Sequence, residues 1–114
     1  MIELIEGANC LFEMANLHKE GTGLPYNIWI DSIGCDRKIG HNLPRLKVDV
    51  DEDGIPEVPV SIDQYNPRVL EPKYKGFKHE SKILAWIRDK YDVLIDHWEH
   101  RINDKQALNL LTDD

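Results

Sequence analysis

The hydrophobic period of this chain changes once, and that change narrows its possible folds more than any other feature. Leu46, Val48 and Val50 alternate with Arg45, Lys47 and Asp49, and Val58, Val60 and Ile62 alternate with Glu57, Ser61 and Asp63. A period of two belongs to strands with one covered face. Between the runs, Asp51-Glu52-Asp53-Gly54-Ile55-Pro56 is turn chemistry, with Gly54 free to take positive φ, so residues 45–63 read as an antiparallel hairpin. Placing Val50 near Val58 predicts Arg45 opposite the neighbourhood of Asp63 and Lys47 opposite that of Ser61, with Leu46, Val48, Val60 and Ile62 under a helix. Pro59 has no N–H for a ladder, which predicts that its strand lies at an edge or carries a bulge.

Beyond residue 81 the period becomes 3.6. Ile83, Leu84, Ile87, Tyr91, Leu94, Ile95, Trp98 and Ile102 fall within an arc of about 120° at 100° per residue, and Asp89, Asp92, Asp96 and Glu99 lie opposite. This predicts one helix over about 81–102, ~30 Å long, with Ser81 as its N-cap and Asn103-Asp104 as its stop. Trp98 belongs to the core on this reading. Trp86 and Val93 lie outside the arc, sharing a shoulder with Lys90 and His97. These four form a candidate interaction surface, covered either by the 64–78 loop or by a partner chain anchored on Trp86.

A further strand is expected at 26–31, after the punctuation Gly21-Thr22-Gly23-Leu24-Pro25, and another over the segment Cys10 to Leu17. Gln64 to Lys78 contains Asn66-Pro67, Pro72 and Gly76 and has no period, so it reads as a surface loop. A chain of 114 residues holds one core. The expected fold is therefore a single α+β domain over 1–114: a small antiparallel sheet of three to four strands, covered on one face by one long C-terminal helix.

With 31% charged and 41% hydrophobic residues the chain is expected to fold, and its net charge of -7 disfavours broad nucleic-acid binding. The N-terminus lacks a basic region followed by a long apolar run, and no stretch approaches a membrane span, so the expectation is a soluble cytoplasmic protein with no membrane contact. Cys10 and Cys35 have no zinc-like spacing and read as free thiols.

Asp49, Asp51, Asp53 and Gly54 match the opening of a calcium loop, but Val60 stands at the twelfth position where a bidentate carboxylate is needed, so an acidic hairpin turn is the preferred reading. His97 and His100 have a spacing that can hold a metal, yet nothing completes the coordination. They read as solvated histidines, and no metal or other cofactor is expected. Arg37, Lys38, His41, Arg45 and Lys47, with Lys73, Lys75, Lys78 and Lys82 later in the chain, form a candidate basic face for phosphates. The competing reading pairs Arg45 and Lys47 with Asp63 or Glu57 across the hairpin. No nucleophile elbow is present, Gly21-Thr22-Gly23 lacks the rest of a phosphate loop, and a proton-transfer pair of His41 with Asp31 or Asp36 rests on residue type alone.

The stretch His41-Asn42-Leu43-Pro44-Arg45-Leu46-Lys47-Val48, with a helix ending in Leu94-Ile95-Asp96-His97-Trp98-Glu99, resembles a group of small bacterial and phage proteins. These carry an Asn-x-Pro-His-x-His-Val strand motif and a helix ending in Leu-Leu-x-x-Trp-Glu, and are often encoded beside a second small protein in a toxin–antitoxin-like arrangement. The resemblance spans about residues 22–111, through Thr22-Gly23-Leu24-Pro25 and Ile28-Trp29-Ile30. It implies a compact α+β fold and a protein partner. Arg45 and Lys47 replace the histidine pair, so no metal or acid–base role carries over. The leading expectation is a non-catalytic protein-interaction module or homodimer, in a toxin–antitoxin-like or prophage setting. The alternatives are a small nuclease using His41, Arg45, Lys47 and Asp49, and an acidic phage inhibitor of a nucleic-acid-binding host protein.

Overall fold

The computed structural model describes residues 15–30, 43–54 and 58–112. Strands β1 (Ala15–Leu17), β2 (Ile28–Ile30), β3 (Arg45–Val48) and β4 (Val58–Ser61) form one antiparallel sheet in the order β1-β2-β3-β4. A one-turn helix, α1 (Lys19–Thr22), joins β1 to β2. A 3-10 turn at Pro72–Tyr74 precedes three helices: α2 (Glu80–Asp89), α3 (Tyr91–Trp98) and α4 (Asp104–Leu111).

Pairing across the sheet sorts the residues as the period of two requires. The rows Ala15–Ile30–Leu46–Val60 and Leu17–Ile28–Val48–Val58 are buried throughout, whereas Asn16, Trp29, Lys47 and Pro59 form a row on the opposite face. Ile83 and Ile87 of α2, Leu94 of α3, and Ala107 and Leu111 of α4 pack into this core together with Leu24, Tyr26, Ile62 and Val69. Trp98 is 1% exposed, as its place in the apolar arc predicts.

The hairpin register differs from expectation by two residues: Arg45 faces Ser61, Lys47 faces Pro59 and Val48 faces Val58. The cause is Asp49. Its carboxylate accepts the N–H groups of Asp53 (3.2 Å) and Gly54 (2.8 Å), so the chain leaves the ladder at Asp49 and Val50 belongs to the turn. A two-residue shift keeps every side chain on its expected face, and Leu46, Val48, Val60 and Ile62 remain buried.

Strand β4 is buried at all four positions instead of alternating. The 64–78 segment is responsible, because part of it returns along the sheet edge. Ser61 N–H donates to the Arg68 carbonyl, Leu70 N–H donates to the Pro59 carbonyl (both 2.9 Å), and Val60 bridges Val69. Residues 59 and 61 thus turn their backbone groups outward, and the missing N–H of Pro59 costs the β3 ladder nothing. The loop closes an edge that would otherwise invite pairing.

The single helix over 81–102 is replaced by α2 and α3, which meet at Lys90 (φ -100°, ψ 13°). Lys90 N–H closes α2 on the Trp86 carbonyl and the Lys90 carbonyl opens α3 by accepting the Leu94 N–H, so one helix ends and the next begins at this kink. It carries no proline or glycine to announce it. His79, at φ 69°, occupies the N-cap position assigned to Ser81. The Tyr26 hydroxyl fixes this entry by donating to the Lys78 carbonyl (2.8 Å). At the far end His100 takes φ 65°, while His100 N–H donates to His97 and Arg101 N–H to Asp96, the paired bonds of a Schellman stop. Asn103 then begins α4 instead of ending the fold. Its side chain accepts the Gln106 N–H (2.8 Å), and Gln106 Oε1 accepts the Asn103 N–H (2.9 Å), a full capping box. No helix among the described residues is long and apolar enough to cross a membrane.

Candidate interaction surface

The strand pairing positions the described members of the basic face. Arg45 and Lys47 are half-buried on the face opposite the core, Lys47 directly between Trp29 and Pro59, and Arg45 Nε donates to the Leu43 carbonyl (3.4 Å). Arg37, Lys38 and His41 lie outside the described residues, as do Cys10, Cys35, Asp31, Asp36 and Glu57. Asp63 is not the partner of Arg45. Its Oδ1 accepts the N–H groups of Tyr65 and Asn66, both at 2.9 Å. Those two bonds, with Arg68 nearby, hold the Asp63 carboxyl below its ordinary value.

The calcium-like residues are used differently. Asp49 is 1% exposed and spends its oxygens on the turn backbone, while Glu52, at φ 55°, pairs with Lys19 at 2.5 Å. Among the described residues no group of three or more histidine, cysteine and acidic side chains is placed to hold a metal ion.

Of the helix-shoulder residues, Trp86 and Val93 are half-buried against the molecule's own core, and Lys90 sits at the kink. His97 is not solvated. It is 4% exposed and its Nε2 lies 2.5 Å from Asp104 Oδ1 in the first turn of α4. The shoulder therefore presents only parts of Trp86, Lys90 and Val93.

A different group of side chains stands out. The large apolar residues exposed among the described residues are Leu43 (55%), Tyr65 (82%) and Leu110 (56%). Ile62 N–H donates to the Pro44 carbonyl (2.9 Å), which continues the β3–β4 pairing past its last ladder pair. Leu43 and Asp63 are the next residues outward on the two chains, and Tyr65 follows two residues after Asp63. Both exposed side chains thus occupy one end of the hairpin, with Arg45 and Arg68 alongside. Sequence periodicity missed this group because Tyr65 lies in an aperiodic loop. The available signal was Asp63-Gln64-Tyr65-Asn66-Pro67, an Asx-turn sequence that carries an aromatic.

Comparisons with protein-family models, with curated proteins and with solved structures gave no significant match.

Proposed function

We propose that this chain is a cytoplasmic, non-catalytic protein-interaction module whose partner docks at the Leu43–Tyr65 end of the hairpin. The observation that carries this reading is Tyr65, 82% exposed on a turn fixed by two hydrogen bonds from its own and the next N–H to Asp63. An exposed aromatic ordinarily loses side-chain and loop entropy on binding. A turn already ordered reduces that loss, and Tyr and Arg are the residue types that dominate interface energetics. Leu43 adds apolar area, and Arg45 and Arg68 supply polar contacts at the rim. The resemblance to proteins encoded beside a second small protein agrees with a protein partner in a toxin–antitoxin-like or prophage setting.

The nuclease reading draws less support, because Asp49, the carboxylate it requires, is buried and engaged by the hairpin turn. An acidic inhibitor of a nucleic-acid-binding protein would be one version of the module. Affinity capture with wild type, Tyr65→Ala and Leu43→Ser tests the proposal. A partner retained by wild type, lost from both variants and reconstituted with purified components supports it. Equal capture by all three contradicts it. Incubation with labelled RNA and DNA, with and without Mg²⁺, should leave both intact.

A further inference from the structure

The exposed side of α2 concerns a different surface from Leu43–Tyr65 and stands independently of it. At 100° per residue Lys82, Trp86 and Asp89 fall within about 60° of one another, with Ala85 beside them, the spacing of a helix–helix seam. Ile83 and Ile87 are buried in the core, while Lys82, Ala85 and Asp89 are exposed and Trp86 is half-buried.

The charges on this seam are placed against the helix macrodipole. A helix favours acid in its first turn and base in its last. Glu80 and Arg88 obey that rule, and the Glu80 carboxylate accepts the Gly76 N–H (3.2 Å). Lys82, in the first turn, and Asp89, in the last, break it. Lys82 has no carboxylate within salt-bridge distance among the described residues. Asp89 has only a 3.7 Å contact to neighbouring Lys90, which leaves its side chain 75% exposed. The two residues that oppose the dipole are the two that sit on the open seam.

They are also symmetric about its centre. Positions 82 and 89 are equidistant from the midpoint between Ala85 and Trp86. If two copies of α2 pack antiparallel about a two-fold axis at that midpoint, each Lys82 meets Asp89 of the partner subunit, twice over. Each Trp86 ring then packs on the small Ala85 of the partner subunit. Self-complementarity of this kind is what an isologous contact requires. Antiparallel packing also sets each misplaced charge beside the favourable pole of the other helix. We propose that this chain self-associates through α2, in the register that pairs Lys82 with Asp89 of the second copy.

One ten-residue helix makes a small contact, so the dimer should be weak, and a single reversal replaces both attractions across the two-fold axis with like-charge contacts. The test is sedimentation equilibrium over a broad concentration range on wild type, Lys82→Asp, Asp89→Lys and the double variant. Both substitutions are at exposed positions, and helical circular dichroism confirms that each variant folds. The wild type should show a concentration-dependent dimer, and each single reversal should weaken association at least tenfold. The double variant should recover it. An equimolar mixture of the two single variants should form a heterodimer, since one then carries two acids where the other carries two bases. A wild type that stays monomeric at every concentration overturns the proposal. So does a dimer indifferent to both reversals, or one that the double variant does not restore.

Discussion

The imidazole of His97, at the end of α3, is buried to 4% exposure and hydrogen-bonds the Asp104 carboxylate at 2.5 Å across the turn into α4. With the carboxylate ionised, Nε2 carries the proton and donates. The bond ties α3 to α4, which pack on each other, and α4 in turn lies against β1. Asp104→Ala leaves a buried N–H without a partner, which should cost about 1–3 kcal/mol in denaturant unfolding. Asp104→Asn keeps an acceptor and should lose less. Equal losses for the two variants would show that the bond contributes little.

Asn103 offers a separable test of the same corner. Asn103→Ala removes the capping box and should lower stability by about 0.5–2 kcal/mol. Hydrogen exchange should show the loss of protection concentrated in residues 104–111, where α4 begins and ends. Protection lost evenly across the sheet would contradict that localisation.

Trp98→Ala should destabilise by about 3–5 kcal/mol, because the side chain is 1% exposed and its removal takes a large apolar volume out of the core. That would remove much of the ~5–15 kcal/mol that typically holds a small domain folded. An unchanged denaturant midpoint would rule out the helix phase described above.

What could be read before the structure was known, and what could not, follows the range of the forces involved. Alternation in Leu46–Val48 and Val58–Val60 reports which face is covered, and a two-residue slip leaves it intact, so the faces were legible while the register was not. The register depends on Asp49 turning its carboxylate onto Asp53 and Gly54, a side-chain choice that periodicity does not record. The kink at Lys90 has no marker residue. Asn103 was visible but ambiguous, since asparagine both ends and begins helices. Gln106, three residues on, resolves it as a beginning. Tyr65 was illegible as a surface anchor because only tertiary placement distinguishes an exposed aromatic from one folded onto the core.

Asp63 gives the fold a pH dependence of known sign. Its folded-state carboxyl is lowered by the Asn66 and Tyr65 N–H groups. The stability it contributes is therefore present above the ordinary carboxylate range and lost as pH falls through the lowered folded value. Asp63→Ala should melt below wild type near neutrality, and the difference should shrink in acid. A difference that stays constant into strong acid would mean that the charge of Asp63 is irrelevant to the turn.

The most direct measurement of the central claim is position-specific photo-crosslinking in the native host. A crosslinking amino acid replaces Tyr65, Leu43 or, as a control on a distant surface, Lys105. The account predicts one discrete protein adduct from positions 65 and 43, absent from position 105 and abolished when crosslinker-bearing position 65 is combined with Leu43→Ser. Adducts of equal yield from all three positions, or none from position 65, would contradict it.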